Sequence, residues 1–114
     1  MPQERAGATT LKGGPLTLLG PELKAGDSAP DFKVSKGLTE AVSLANFKGK
    51  VKLLVAVPSL DTPVCDQETK RFNEEAAKLG DKVKVVVISM DLPPAQGRWC
   101  GAANVKNLEV LSDH

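Results

Sequence analysis

The stretch that decides the fold runs from Val51 to Met90: VKLLVAVPSLDTPVCDQETKRFNEEAAKLGDKVKVVVISM. Its first part, VKLLVAVP, is apolar and β-branched on successive residues without alternation, the pattern of a central strand covered on both faces. Pro58 ends that strand. From Pro63 to Leu79 the period becomes helical, with Phe72, Ala76 and Leu79 on one stripe and Asp66, Lys70, Glu74 and Lys78 on other faces. Gly80 supplies the C-cap. KVKVVVISMD is a second strand of the buried kind, so strand, helix and strand predict a right-handed βαβ unit with parallel strands.

Working outward, PPAQGRWCGA reads as a short helix opened by Pro93 and Pro94, and LEVLS as a further short strand. On the N-terminal side, DFKVSK and AVSL are two short strand candidates separated by Gly37, and ANFKGK is a turn leading back to the main run. TTLKGGPLTLLGP holds two apolar segments around Gly13 and Gly14, a hairpin signal. An α/β sheet of this pattern gains a further helix and closing strands after the third strand, and the sequence stops at His114. The expectation is one partial domain over residues 1–114, with the C-terminal part of the fold absent.

Composition narrows the function classes. Fifteen Lys+Arg against fourteen Asp+Glu leave a net charge of +1, with no block of one sign to grip nucleic acid. The longest apolar runs fall far short of the 18 or so residues of a membrane span. MPQERAGATT has no apolar core of a secretory signal, so a cytoplasmic location is expected. There thiols stay reduced, and two cysteines are catalytic, redox-sensing or inert before they are a structural staple. Two cysteines this far apart and one terminal histidine do not make a zinc ligand set.

Cys65 therefore poses the functional question. A cysteine reacts as its thiolate, and a helix N-terminus is one of the few devices that favour that anion. Thr62 suits the N-cap, Pro63 suits the first helical position, and Cys65 then occupies the third position of the first turn. Unpaired backbone N–H groups and the positive end of the helix dipole meet there, at the carboxyl end of a parallel strand where such sheets place ligand crevices. Yet Cys65 stands seven residues before Phe72 and shares its stripe, so it equally reads as a small buried hydrophobe. Spacing leaves both readings open. Cys100, in QGRWCGA, follows the second strand and returns toward the same end of the sheet. Topology alone leaves open whether the two thiols meet, given how strict disulfide geometry is.

The residues themselves resemble a known family. PSLDTPVC fits the peroxiredoxin active-site pattern of a proline followed by Thr-x-x-Cys. DQETKRFNEEA and DLPPAQGRWCGA are similar to the thiol peroxidase branch, the atypical two-cysteine peroxiredoxins, and the similarity runs from about Thr10 to His114. The resemblance implies a thioredoxin-like α/β fold with an N-terminal β-hairpin. It also implies a peroxidase acting on hydrogen peroxide or organic hydroperoxides. In that family pattern Cys65 matches the peroxidatic cysteine, which becomes a sulfenic acid. Thr62 matches the threonine that orients peroxide and thiolate, and Pro58 the proline that shields the thiolate from water. Cys100 matches the resolving cysteine, which closes an intramolecular disulfide that thioredoxin reduces. The first turn of the helix and the segment around Cys100 must unwind locally for the sulfurs to join.

No metal, haem or flavin cofactor is implied, and a homodimer is the expected assembly. The family also places an arginine beside the thiolate, in a C-terminal region that this sequence does not reach. Arg71 and Arg98 do not match it, and each reads as a solvated helix residue. Pro94 replaces a common aromatic, GAAN replaces a more usual acidic GAEG, and Trp99 reads as a packing residue or part of a dimer or reductant surface. The alternatives to a peroxidase are a non-catalytic thioredoxin-fold interaction module, with exposed sheet edge and apolar surface, or a redox sensor.

Overall fold

The second buried strand anchors the architecture. In the computed structural model, which describes residues 3–114, Val83–Ser89 forms β6. Its side chains alternate: Val85 and Val87 enter one apolar cluster and Val86 the other, all almost fully buried. Val51–Ala56 forms β5, Pro63–Leu79 the helix α1, Pro93–Ala103 the helix α2, and Glu109–Ser112 the strand β7. β5 pairs parallel with β6, and β6 parallel with β7. The predicted strand–helix–strand unit is present with the helix bounds read from the sequence.

Val34–Lys36 (β3) and Glu40–Val42 (β4) form an antiparallel pair. A single residue pairing, Ser35 with Ser112, joins β3 to β7. The five-stranded order is β4-β3-β7-β6-β5, a thioredoxin-like α/β arrangement. The ANFKGK turn contains a 3₁₀ segment, Leu44–Phe47, that buries Phe47. One core lies between the sheet and the helices: Val55, Val57, Leu60, Cys65, Val85 and Val87, with Phe72, Ala76 and Trp99 packed against it. The second, on the opposite face, comprises Val34, Val42, Phe47, Val86 and Leu111. Leu79, placed on the buried stripe by its spacing, lies past the sheet contact and is exposed.

Among the described residues β5 pairs on one side only and so lies at the edge of the sheet, in place of the expected central position, and Leu53 and Leu54 remain 39% and 42% exposed. The helices cover Val55 and Val57 at its carboxyl end, and no described strand pairs with its outer edge. The strands covered on both faces are β6 and β7.

The chain divides into two compact units, one ending at Pro30 and one spanning Asp31–His114. The first is the predicted hairpin, Glu4–Leu11 (β1) with Gly14–Leu19 (β2). Lys12 and Gly13 both take positive φ, 50° and 80°, the two-residue turn that matches the twist of a hairpin. Arg5 Nε donates to the Gly20 carbonyl at 2.9 Å and ties the ends of the ribbon. Met1 and Pro2, included in the expected 1–114 domain, lie outside the described residues. Among the described residues no helix is long and apolar enough to cross a membrane.

Candidate thiol site

Pro58 interrupts the chain just past β5, and the turn Ser59–Thr62 leads into α1. The Val57 N–H donates to the Ile88 carbonyl and the Met90 N–H to the Pro58 carbonyl, so the turn begins hydrogen-bonded to the end of β6. Leu60 is 2% exposed and packs with Val57 and Cys65 in the core beneath the helices. Pro58 itself is exposed and lines a small apolar cavity with Ala56, Ile88 and Met90.

Thr62 takes the N-cap position, with extended backbone, and Pro63 the first helical position. Its hydroxyl does not cap the helix. It donates to the Ser59 carbonyl at 3.0 Å, while the first intrahelical bond runs from the Asp66 N–H to the Thr62 carbonyl. The Val64 and Cys65 N–H groups precede that bond and belong to the orphan donors of a helix start. Cys65 occupies the predicted third position of the first turn, and it is also buried on the stripe of Phe72 and Ala76. The core and first-turn placements coincide in one residue. Its carbonyl accepts from the Thr69 hydroxyl at 2.7 Å, and Thr69 is fully buried.

Cys100 lies in the second half of α2, half-buried, and both thiols are free. Burial pushes the Cys100 thiol above its ordinary pKa, so it is protonated at neutral pH. The two cysteine-bearing helices are joined beside the thiols: Trp99 Nε1 donates to Asp66 Oδ1 at 2.7 Å. Asp66 also accepts from Lys70 at 2.8 Å, and these two partners, Lys70 first, hold its carboxyl below the usual range. Trp99 is thus both packed against the core, as read from the sequence, and a hydrogen-bond donor between the helices. A cavity of about 280 Å³ opens over Leu60, Asp61, Thr62, Pro63, Asp66 and Trp99. A second, of about 520 Å³, shares Asp61 and Trp99 and runs along Pro94, Ala95, Arg98 and Ala102. Arg71 pairs with Glu75 at 3.1 Å on the exposed face of α1, and Arg98 is exposed on α2.

Three residues escaped the sequence reading, two of them bonded to the ends of the strands and one within α1. Asp91, just past β6, accepts from Ser59 Oγ at 2.6 Å, from the Leu60 N–H at 2.8 Å and from Ser89 Oγ at 2.8 Å. Burial acts to raise its pKa, but these donors outweigh that and leave it below the ordinary carboxylate value. Gln96, 3% exposed, donates through Nε2 to Ser89 Oγ at 2.8 Å and to the Leu111 carbonyl at 2.7 Å. Thr69 is the third. The available signal was slight: an acidic residue at the carboxyl end of a parallel strand and a polar residue on the inner face of a short helix.

A family model described as Redoxin matches residues 24–114. The chain belongs to the Redoxin family. Within this family, a thiol peroxidase of Bacillus subtilis (strain 168) is 60% identical over 105 residues, 92% of this chain and 62% of the relative. A thiol peroxidase of Halalkalibacterium halodurans is 53% identical over the same share of this chain and 63% of its own. Among solved structures, a peroxiredoxin-like protein from Aquifex aeolicus superposes with a TM-score of 0.81 at 49% identity, over 90% of this chain and 59% of that one. The chain therefore spans less than two thirds of the length of these relatives.

Proposed function

We propose that this chain carries the reacting cysteines of a thiol peroxidase that reduces hydrogen peroxide or organic hydroperoxides. The observation that carries the reading is Cys65, a free thiol in the first turn of α1 behind Thr62 and Pro63, in a chain of the Redoxin family similar to thiol peroxidases. In the proposed reaction the Cys65 thiolate attacks one peroxide oxygen and the O–O bond breaks. The other oxygen leaves as alcohol or water after protonation, and Cys65 becomes a sulfenic acid. In this reading the first-turn N–H groups stabilise the charge that develops on the leaving oxygen, and the Thr62 hydroxyl, which donates to the Ser59 carbonyl, keeps its oxygen free to accept from the peroxide O–H. The Cys100 sulfur then displaces the sulfenic oxygen as water and closes a disulfide, which a thioredoxin dithiol reduces.

Burial of Cys65, the protonated state of Cys100 and the Trp99–Asp66 bond between the helices support a resting, reduced state that opens locally before the sulfurs join. The proposal extends to a cytoplasmic homodimer. Intact mass before and after one equivalent of peroxide tests the chemistry. A loss of two hydrogens is expected in the unmutated chain, and a gain of one oxygen in Cys100→Ser. If the unmutated chain forms no disulfide, the resolving step is wrong. Sedimentation of the same samples reads the assembly, and a redox-silent oligomer would favour a non-catalytic interaction module.

A further inference from the structure

The turn before α1 carries Thr62 but has little packing of its own: Asp61, Thr62, Pro63 and Val64 are all exposed, and Leu60 is its one deeply buried side chain. Its shape is fixed by hydrogen bonds that come from the junction between β6 and α2. Asp91 reaches across a separation of 31 and 32 residues to accept from the Leu60 N–H and the Ser59 hydroxyl. The same carboxylate accepts from Ser89 Oγ, and the Asp91 carbonyl accepts from Ser112 Oγ, so its position is set by the ends of β6 and β7. A carboxylate is an acceptor only, which matches three donors aimed at its two oxygens.

The bonds continue toward the thiol. Ser59 Oγ, having donated to Asp91, accepts from the Asp61 N–H at 3.1 Å. The Ser59 carbonyl accepts both the Thr62 hydroxyl at 3.0 Å and the Thr62 N–H at 3.3 Å. A continuous path therefore runs from the rigid carboxyl end of the sheet through Asp91 and Ser59 to the hydroxyl at the mouth of α1. We propose that Asp91 is a positioning residue for the thiol site: it holds the Ser59–Thr62 turn so that the Thr62 hydroxyl and the first turn of α1 keep one geometry about Cys65. The role in peroxide chemistry rests on the peroxidase reading above; the restraint on the turn does not.

Asp91→Ala, Asp91→Asn and Ser59→Ala test this with two readouts. The first is amide exchange at Leu60, which reports the restraint without any chemistry at sulfur. Losing the acceptor makes exchange faster by about 10-fold or more in Asp91→Ala. Asp91→Asn keeps one oxygen for the Leu60 N–H and stays within about threefold of the unmutated chain by the same measure. The second readout sets single-turnover oxidation of Cys65 by hydrogen peroxide beside alkylation by iodoacetamide, which has no use for the Thr62 hydroxyl. In Asp91→Ala the oxidation slows by about 10-fold or more while alkylation changes by less than about threefold, and Asp91→Asn restores the oxidation.

A folded Asp91→Ala with unaltered Leu60 exchange and unaltered oxidation overturns the proposal, as does a fall in both sulfur reactions together. Should Asp91→Ala fail to fold, Ser59→Ala decides in its place: it removes the donor to Asp91 Oδ1 together with the acceptor of the Asp61 N–H, and unaltered oxidation there is equally decisive. A chain that ignores peroxide even when unmutated defeats the peroxidase reading, and Leu60 exchange alone then judges the restraint.

Discussion

Gln96→Met should both destabilise the protein and loosen the helix that carries Cys100. Methionine matches glutamine in length and flexibility, so the loss is that of the Nε2 donor, which serves Ser89 Oγ on β6 and the Leu111 carbonyl on β7. Each net hydrogen bond contributes about 1 kcal/mol, and an acceptor left bare in the core costs about 1–3 kcal/mol. The thioether gains some apolar burial in return, so the net loss is about 2 kcal/mol. For a unit of this size each kcal/mol shifts Tm by about 4–8 °C, which places the midpoint about 8–16 °C lower. If α2 opens as one piece, 2 kcal/mol is also a factor of about 30 in its open population. Thermal unfolding by circular dichroism measures the first quantity. The rate of Cys100 alkylation in a Cys65→Ser background measures the second. A melt within about 2 °C of the unmutated chain, with Cys100 no more reactive, would refute the anchoring role of Gln96.

Stability should be lost at both ends of the pH scale. Asp91, Glu109 and Asp66 all have pKa values lowered by folding, in Glu109 because Lys36 and Lys84 outweigh its burial. Their contribution is present above the unfolded value of about 4 and disappears as pH falls through their lower folded values, so urea midpoints decline below about pH 4. Cys100 has the opposite sign: its raised folded pKa gives stability that is full below its unfolded value, about 8.5, and lost as pH rises through the folded one. Cys100→Ala should therefore flatten the alkaline decline, and a decline that persists unchanged assigns it to another group. In Trp99→Phe the ring stays and the N–H goes. The Asp66 carboxyl, followed by NMR, should then titrate at higher pH than in the unmutated chain while remaining below its ordinary value because Lys70 is still bound. No upward movement would mean that the interhelical bond does not form in solution.

The elements were legible because their periods differ. Val83–Ser89 and Pro63–Leu79 could each be read from one segment, since alternation and helical spacing are local properties. The place of β5 was not local. An unbroken apolar run such as VKLLVA describes a strand suited to cover on both faces, but which strands flank it is set by tertiary pairing, and among the described residues β5 pairs on one side only. The hydrogen-bond hub was hidden for the same reason. Asp91, Ser59 and Gln96 are ordinary polar residues in sequence, and only the parallel pairing of β5, β6 and β7 brings their partners to one end of the sheet. The family resemblance named Pro58, Thr62, Cys65 and Cys100 because the family pattern gives those positions roles; Ser59, Asp91 and Gln96 lie in the same motifs, but their bonding partners are set by the fold.

Cys65 shows why spacing could not choose between a core and a reactive cysteine. Seven residues is two helical turns, so a residue on the stripe of Phe72 at the start of α1 is automatically in the first turn and automatically against the core. Burial and a helix start are therefore compatible, and together they have a mechanical consequence for the proposed chemistry. A disulfide requires Cα atoms within about 7 Å of one another, whereas Cys65 is packed in the core and Cys100 is held in the body of a second helix. The contacts restraining them differ in kind. The Trp99–Asp66 bond is partly exposed and adjacent to both cysteines, while the Gln96 bonds are buried one turn earlier in α2. Opening at the first while the second holds releases Cys100 without detaching the start of α2 from the sheet. That order makes Trp99→Phe the change that eases disulfide closure, and Gln96→Met the change that eases loss of the whole helix.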